Sequence, residues 1–313
     1  MEWFLAALGL AILVLAGDML VKGAVNLSLR VGIPALIVSL TVVAFGTSAP
    51  ELLVSIQAVL EHSPGLAVGN VVGSNTANIL LVLGLPAWIS RLHTAGTDTR
   101  KTYLVMLAAS VFFVFISALG PIGWPQGLVF LMLLTAILFD QGRAARRSRK
   151  TKAENVEGVD PGMPGWKIAA FIILGMIGLP VGADLLVDSA QEIARDYGVS
   201  DAMIGLTLVA VGTSLPELAT TVVAAIRRQA DVALGNVIGS NLFNLLGIIG
   251  VASLFGTIPI DPGFLKFDFW VMIGASLLIA PFVFSQSREL TRRYGFPLVV
   301  LYVVYISIVV MMG

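Results

Sequence analysis

The sequence predicts an all-α polytopic membrane protein of about ten transmembrane helices, arranged as two inverted five-helix repeats. The first observation is composition: the 313 residues are 57% hydrophobic and only 12% charged, whereas a soluble domain has about 25% charged residues. The second is that long apolar runs recur along the whole chain. The third is that the two halves carry the same polar motifs at a constant offset of 166 residues.

The apolar runs set the expected spans, because a membrane-spanning helix needs about 20 mostly apolar residues. The first run follows an acidic residue and lacks the basic flank of a signal peptide, so we expect it to be a retained helix. We expect a first repeat at 1–141, a basic loop at 142–165 and a second repeat at 166–313. The expected spans are 3–24, 33–61, 66–89, 102–119, 124–140, 166–194, 202–226, 232–255, 267–285 and 296–312.

The distribution of basic residues predicts the orientation. Cytoplasmic loops of membrane proteins are enriched in Lys and Arg, and the central loop has six basic residues from Arg143 to Lys152. We therefore expect this loop in the cytoplasm and both termini outside. The formal net charge of zero argues against a nucleic-acid partner, and the lack of cysteine excludes disulfides and thiolate metal sites.

The internal repeat is gapless over two motifs. TVVAFGTSAPEL, from Thr41, aligns with TLVAVGTSLPEL, from Thr207. AVGNVVGSNTANILLVLG, from Ala67, aligns with ALGNVIGSNLFNLLGIIG, from Ala233. Five spans per repeat is an odd number, so the second copy enters the membrane from the opposite side. Inverted repeats are common in secondary transporters, whose binding sites lie near the bilayer midplane where the repeats meet.

The first motif places a proline and a glutamate inside an apolar span. Proline removes an amide donor and breaks or kinks a helix, which frees carbonyls such as those of Ala44 and Thr47. A carboxylate at mid-span, as at Glu51 and Glu217, costs about 2.5–3.5 kcal/mol, so each must be protonated or neutralised by a cation. Carbonyl, hydroxyl and carboxylate oxygens are the ligands that Na⁺ and Ca²⁺ prefer. The chain's two histidines, His62 and His93, are expected near span ends.

The second motif supplies further oxygen atoms. Ser74 and Asn78 are four residues apart and share one helix face, and Ser240 and Asn244 repeat this spacing. The glycines of the motif form small-xxx-small steps, which we interpret as packing positions.

Two acidic positions are interpreted as structural or gate-lining and are left out of the site. Asp18 and Asp184 occupy equivalent positions in the repeat, and Lys22 is one helical turn from Asp18, where the two can form an ion pair.

At these motifs the sequence resembles the cation/calcium exchanger superfamily, in particular the prokaryotic sodium/calcium exchangers. The resemblance covers Asp18–Gly84 and Asp184–Gly250, and it implies sodium/calcium antiport by alternating access in a prokaryotic inner membrane, in the direction of calcium extrusion. It implies sliding of the first and sixth helices over the remaining core. The implied ligands are the backbone carbonyls of Ala44, Thr47, Ala210 and Thr213, and the side chains of Ser48, Glu51, Ser74, Asn78, Ser214, Glu217, Ser240 and Asn244.

Within this family, the position of Asn244 is Asp in some relatives, including the potassium-dependent branch. Both repeats here have Asn, which resembles the potassium-independent pattern. With only Glu51 and Glu217 ionised, the site would have a charge of minus two. One Ca²⁺ or two Na⁺ would neutralise it.

Three alternatives remain open at this point. A proton/calcium exchanger would use the same two glutamates, although the proton-coupled relatives have an acidic residue soon after the GN of the second motif and this chain has none there. An intramembrane enzyme would need a motif such as HExxH, which is not present, or convergence of Asp18 and Asp184. A passive channel would share the oxygen ligands. We expect no enzymatic activity, no cofactor and no obligate protein partner, with the lipid bilayer as surroundings and calcium and sodium as cargo.

Overall fold

A computed structural model describes residues 1–92, 100–147, 160, 162–198, 210–285 and 289–312. Over these residues the regular structure is helical, and the only β pairing consists of two isolated bridges. The expected all-α fold class is confirmed. The helices are α1 (Glu2–Val31), α2 (Ala35–Thr47), α3 (Ala49–Leu60), α4 (Pro64–Ile89), α5 (Arg100–Leu119), α6 (Trp124–Arg147), α7 (Gly165–Asp196), α8 (Ala210–Gly212), α9 (Leu215–Ile226), α10 (Ala230–Ala252), α11 (Pro262–Lys266), α12 (Asp268–Phe284) and α13 (Arg292–Met312).

The helices account for about ten apolar segments in the described part of the chain. Seven are long and apolar enough to cross a membrane, α2 and α3 form one further span bent by 46°, and α9 and α12 are shorter apolar helices. The helix α6 continues to Arg147, beyond the expected end of the first repeat at 141. Of the expected span 202–226, the first part lies outside the described residues, as do 148–159 of the central loop.

The two helices that open the repeats pack against each other in antiparallel fashion. Gly9 of α1 lies against Gly182 and Leu186 of α7, whereas Gly23 of α1 lies against Ile172. Contact positions therefore run in opposite directions along the two helices. Glycines at this interface let the backbones approach closely, as in small-residue packing between membrane helices. The antiparallel pair supports the inversion predicted from the odd number of spans.

The two β-bridges are related to each other by the same internal two-fold relation. Leu92 pairs with Leu290, and Ile122 pairs with Ile258. The offset of 166 residues converts Leu92 into Ile258 and brings Ile122 to within two positions of Leu290, so the two bridges correspond to each other. Each one joins the loop after a central helix of one repeat to the loop before the last helix of the other. The repeats are thereby tied together at two places.

The centre of the bundle is formed by the helices that contain the second motif. Of the most apolar stretch of α10, 94% of the residues are buried, and for α4 the value is 72%. For α6, α7 and α13 it is only 22%, as expected for helices that face lipid. The polar residues of α4 and α10 thus lie in the interior of the protein, away from the hydrocarbon.

Two of the motif glycines, both in α10, are packing positions as the sequence predicts, whereas a Cβ atom at Gly73 of α4 would meet no described atom within 4 Å. A Cβ atom at Gly235 would lie 2.7 Å from the carbonyl oxygen of Leu36, and one at Gly239 would lie 2.5 Å from that of Leu40. Both neighbours are backbone atoms of α2, which cannot move aside as a side chain would. Close contact between α2 and α10 therefore requires glycine at both positions.

We predict that Gly239→Ala lowers stability by about 1–3 kcal/mol, because overpacking forces a shift of the backbone. The measurement is the free energy of unfolding of purified protein in detergent. Gly274→Ala is the matched control, since no described atom lies within 4 Å of a Cβ at this helical glycine. Equal stability of the two variants would contradict the packing role of Gly239.

Candidate ion-binding site

Each of the two glutamates related by the internal repeat lies in the first turn of a helix that follows a break. The helix α2 ends at Thr47, Ser48 leaves the helical conformation, and α3 begins at Ala49 with Glu51 in its first turn. The helix α9 has Glu217 in the equivalent position after Ser214. The positive end of a helix dipole stabilises a carboxylate by about 0.3–1 kcal/mol, and by more when partly buried. The breaks therefore favour ionised carboxylates inside the membrane.

The two repeats contribute jointly to the surroundings of Glu217. This side chain is 1% exposed. Ser48 Oγ, from the first repeat, donates to Glu217 Oε1 at 3.0 Å, and Ser240 Oγ, from the second, donates at 3.4 Å. Thr47 Oγ1 lies 3.5 Å from Ser240 Oγ and donates to Asn236 Oδ1 at 3.3 Å. The structure thus brings together the predicted Thr47, Ser48, Glu217 and Ser240.

Two asparagines hold the glutamate backbones in place in matching ways. Asn70 Nδ2 donates to the carbonyl oxygen of Glu51 at 3.1 Å and to Ser55 Oγ at 3.0 Å. Asn236 Nδ2 donates to the carbonyl oxygen of Glu217 at 3.3 Å and to Thr221 Oγ1 at 3.0 Å.

The hydroxyls of Ser55 and Thr221 were missed by the sequence reasoning. A hydroxyl four residues after the glutamate in both repeats is the signal that would have found them.

Several buried polar atoms of the site have no hydrogen-bond partner. Glu51 is 1% and Asn244 is 0% exposed. An unpaired buried polar group costs about 1–3 kcal/mol, and more if charged, so the unpartnered carboxylate and amide oxygens are suited to accept a cation or a proton. None of the ion pairs between described residues includes either glutamate. The unpartnered atoms are Glu51 Oε2, Glu217 Oε2, Asn78 Oδ1, Ser214 Oγ, and Nδ2 and Oδ1 of Asn244.

The backbone at the two breaks differs between the repeats. The carbonyl oxygen of Ala44 accepts from the Ser48 amide at 3.0 Å and lies 3.3 Å from Thr47 Oγ1, so it is less available as an ion ligand than expected. The Ser214 amide instead donates to Val211 at 3.1 Å. Of the other predicted ligands, Ser74 is buried, Thr213 lies in the turn before α9, and Ala210 begins α8.

Asp18 lies outside this site, in an ion-pair cluster. Its carboxylate is 2.8 Å from Lys22 Nζ, as the spacing predicts, and also accepts from Arg227 Nε at 2.5 Å. Arg227 follows α9, and sequence reasoning missed it because the contact spans two distant helices. The aspartyl pair of the enzyme alternative is excluded. Asp184 of α7 lies level with Gly9 of α1, and Asp18 is nine residues further along α1, which places it about 13 Å away along the helix axis.

Comparison with known proteins agrees with this architecture. Residues 1–141 and 167–311 match the family described as sodium/calcium exchanger protein. The chain is 30% identical to the sodium/calcium exchanger MaX1 of Methanosarcina acetivorans, covering 98% of each chain. It is 34% identical to the inner membrane protein YrbG of Escherichia coli, covering 93% of this chain and 91% of YrbG.

A solved structure is also similar. The sodium-calcium exchanger NCX_Mj, soaked with sodium and strontium, superposes with a TM-score of 0.83 at 35% identity, covering 98% of this chain and 97% of that one. The named relatives of known activity are transporters.

We predict that Ser48→Ala lowers stability in ion-free buffer more than Ser214→Ala does. Ser48 donates to a carboxylate, and a hydrogen bond to a charged group is worth about 1.5–3 kcal/mol, whereas Ser214 Oγ has no partner. The measurement is equilibrium unfolding in detergent without sodium or calcium. The same loss in both variants would show that the asymmetry between the repeats is not present in solution.

Proposed function

Because this chain belongs to the sodium/calcium exchanger protein family and is a cation/calcium antiporter, we propose that it exchanges sodium for calcium at a site centred on Glu51 and Glu217. The supporting observation is that both carboxylates are 1% exposed and each has an oxygen atom without a partner. Such groups need a bound cation or a proton to be stable in the membrane interior. The oxygens around them suit Na⁺ and Ca²⁺.

The proposed ligand set follows from the two repeats. In each repeat, the broken span provides the carboxylate and one hydroxyl. The neighbouring central helix provides a second hydroxyl and the side-chain amide. We assign to the site the side chains of Ser48, Glu51, Ser74, Asn78, Ser214, Glu217, Ser240 and Asn244, together with carbonyls of Ala44, Thr47, Ala210 and Thr213. Of these, Glu51, Glu217, Thr47 and Thr213 would bind the metal ion most directly.

Alternating access would come from movement of α1 and α7 against the rest of the bundle. Their mutual interface contains Gly9, Gly23, Gly175 and Gly182, and Gly17 of α1 rests on the backbone of Ala219 in α9. Surfaces of small residues present few side chains that must be displaced when helices slide. The close backbone contacts at their mutual interface would hold α1 and α7 together as one unit, and the small-residue contact of Gly17 with Ala219 would let this unit slide over the rest of the bundle. The movement would open the site to one side and then to the other.

The proposed orientation places both termini outside and the basic loop in the cytoplasm of a prokaryotic cell, so that inward sodium flow extrudes calcium. Lys and Arg distribution supports this orientation. The absence of an acidic residue in GNVVGSN and GNVIGSN favours sodium over proton coupling. We propose further that the protein is not an enzyme and needs no cofactor or partner protein.

We predict that Glu51→Gln and Glu217→Gln each abolish calcium uptake driven by sodium, because an amide cannot balance the charge of a bound cation. The measurement is radiolabelled calcium uptake into sodium-loaded proteoliposomes, with choline-loaded and pH-jumped vesicles for comparison. Glu61→Gln is the matched control, since this exposed glutamate lies outside the proposed site and its carboxylate accepts from Gln57. Uptake driven by the pH jump alone would indicate proton coupling, and uptake retained in either variant would remove that glutamate from the site.

We also predict that the transport responds to membrane voltage. Two ionised carboxylates give a site charge of minus two, which one Ca²⁺ neutralises, whereas three Na⁺ leave one positive charge. Exchange at three to one would then depend on voltage by about 2.3 kcal/mol per charge per 100 mV. Calcium flux that is unchanged when the vesicles are clamped at different potentials would exclude this stoichiometry.

A further inference from the structure

The two central helices are joined by a reciprocal pair of asparagines that the site described above does not include. Asn75 Nδ2 donates to the carbonyl oxygen of Asn241 at 3.2 Å, and Asn241 Nδ2 donates to the carbonyl oxygen of Asn75 at 3.5 Å. The two residues occupy the same position in the two repeats, 166 residues apart. Both are 1% exposed. This amide pair therefore lies close to the two-fold relation between the repeats.

The hydrogen bonds of the amide pair fix the orientation of the Asn241 side chain and, through it, that of Asn78. Since Asn241 Nδ2 is engaged with Asn75, and also lies 3.7 Å from Met106 Sδ, Asn241 Oδ1 is left to accept. It accepts from Asn78 Nδ2 at 3.0 Å. Asn78 must then point its Oδ1 away from Asn241, and this buried oxygen has no partner. A buried acceptor without a donor is suited to a cation.

The equivalent contact in the other repeat is not made. Asn75 Oδ1 has no partner, and neither Nδ2 nor Oδ1 of Asn244 has one. Asn75 and Asn244, which correspond to Asn241 and Asn78, therefore do not bond to each other. The amide pair itself is symmetric, whereas its connection to an ion-site residue exists on one side alone.

We propose that Asn241 is a positioning residue for ion binding, which acts through Asn78 by accepting its amide hydrogen and so orienting its oxygen toward the bound cation. This inference rests on the proposed function, because it takes Asn78 as an ion ligand. Asn75 shares with Asn241 the packing and the bond across the interface, but it does not orient an ion ligand in this conformation. Comparing variants of the two asparagines therefore distinguishes a positioning role from a purely structural one.

The test is equilibrium binding of radiolabelled calcium to purified protein in detergent, with thermal stability measured in parallel. We expect Asn241→Leu and Asn78→Leu each to raise the calcium Kd at least fivefold. The double variant should raise it no further than Asn78→Leu alone, because Asn241 acts through Asn78 and effects that share one contact are not additive. Asn75→Leu should lower thermal stability as much as Asn241→Leu does, yet leave the Kd within twofold of the unsubstituted protein.

A second substitution keeps the test informative should Asn241→Leu not fold. Asn241→Asp retains an acceptor for Asn78 Nδ2 while losing the donor to Asn75, and its added negative charge does not oppose calcium. We expect its Kd to be no weaker than that of the unsubstituted protein. A weaker Kd would refute the proposal, as would additive effects in the double variant or equal Kd changes in Asn75→Leu and Asn241→Leu.

Failure of the proposed function has a different signature. In that case the unsubstituted protein binds no calcium, or Glu51→Gln and Glu217→Gln bind it unimpaired. If calcium binding depends on both glutamates but not on Asn241, the ion site stands and only the positioning role falls.

Discussion

The structure depends on keeping two carboxylates in the interior of a membrane protein. Glu51 and Glu217 are shielded from solvent, and no described basic side chain pairs with them. Both lie in the first turn of a helix, whose positive end compensates part of the charge, and serine hydroxyls donate to Glu217 as well. Full compensation requires a cation or a proton, so we expect the folded protein to be most stable when one is bound at these carboxylates. Binding and stability are coupled for this reason.

The inverted repeat solves the problem of placing these groups together. Broken spans are tolerated at membrane depth only when they are enclosed by protein, and here each break is enclosed by the other repeat. Ser48 of the first repeat meets Glu217 of the second, and Thr47 meets Asn236. The first repeat thus contributes hydroxyls to the surroundings of the second repeat's glutamate. The antiparallel packing of α1 and α7 follows from the same two-fold relation.

Symmetry of sequence does not produce symmetry of contacts. Ser48 bonds to Glu217 while Ser214 Oγ has no partner, and Asn78 bonds to Asn241 while Asn244 is unconnected. The side-chain hydrogen bonds that Ser48 and Asn78 make in the first repeat are not made by their counterparts in the second. We therefore expect a second state of the bundle in which the roles of the two halves are exchanged. Alternation between those states is the form of motion that an antiporter requires.

Local chemistry in the sequence determined the spans, the helix breaks at proline, the inversion and the buried glutamates, because each depends on composition, periodicity or an exact internal repeat. Tertiary structure alone decided which groups meet. The pairing of Asp18 with Arg227, the hydroxyls of Ser55 and Thr221 beside the asparagines, and the Asn75–Asn241 bond join residues from different helices. The asymmetry between the repeats was also unreadable in the sequence, because near-identical motifs predict identical contacts. Which bonds are made depends on how the helices are displaced relative to one another, and that displacement is a property of the packed bundle.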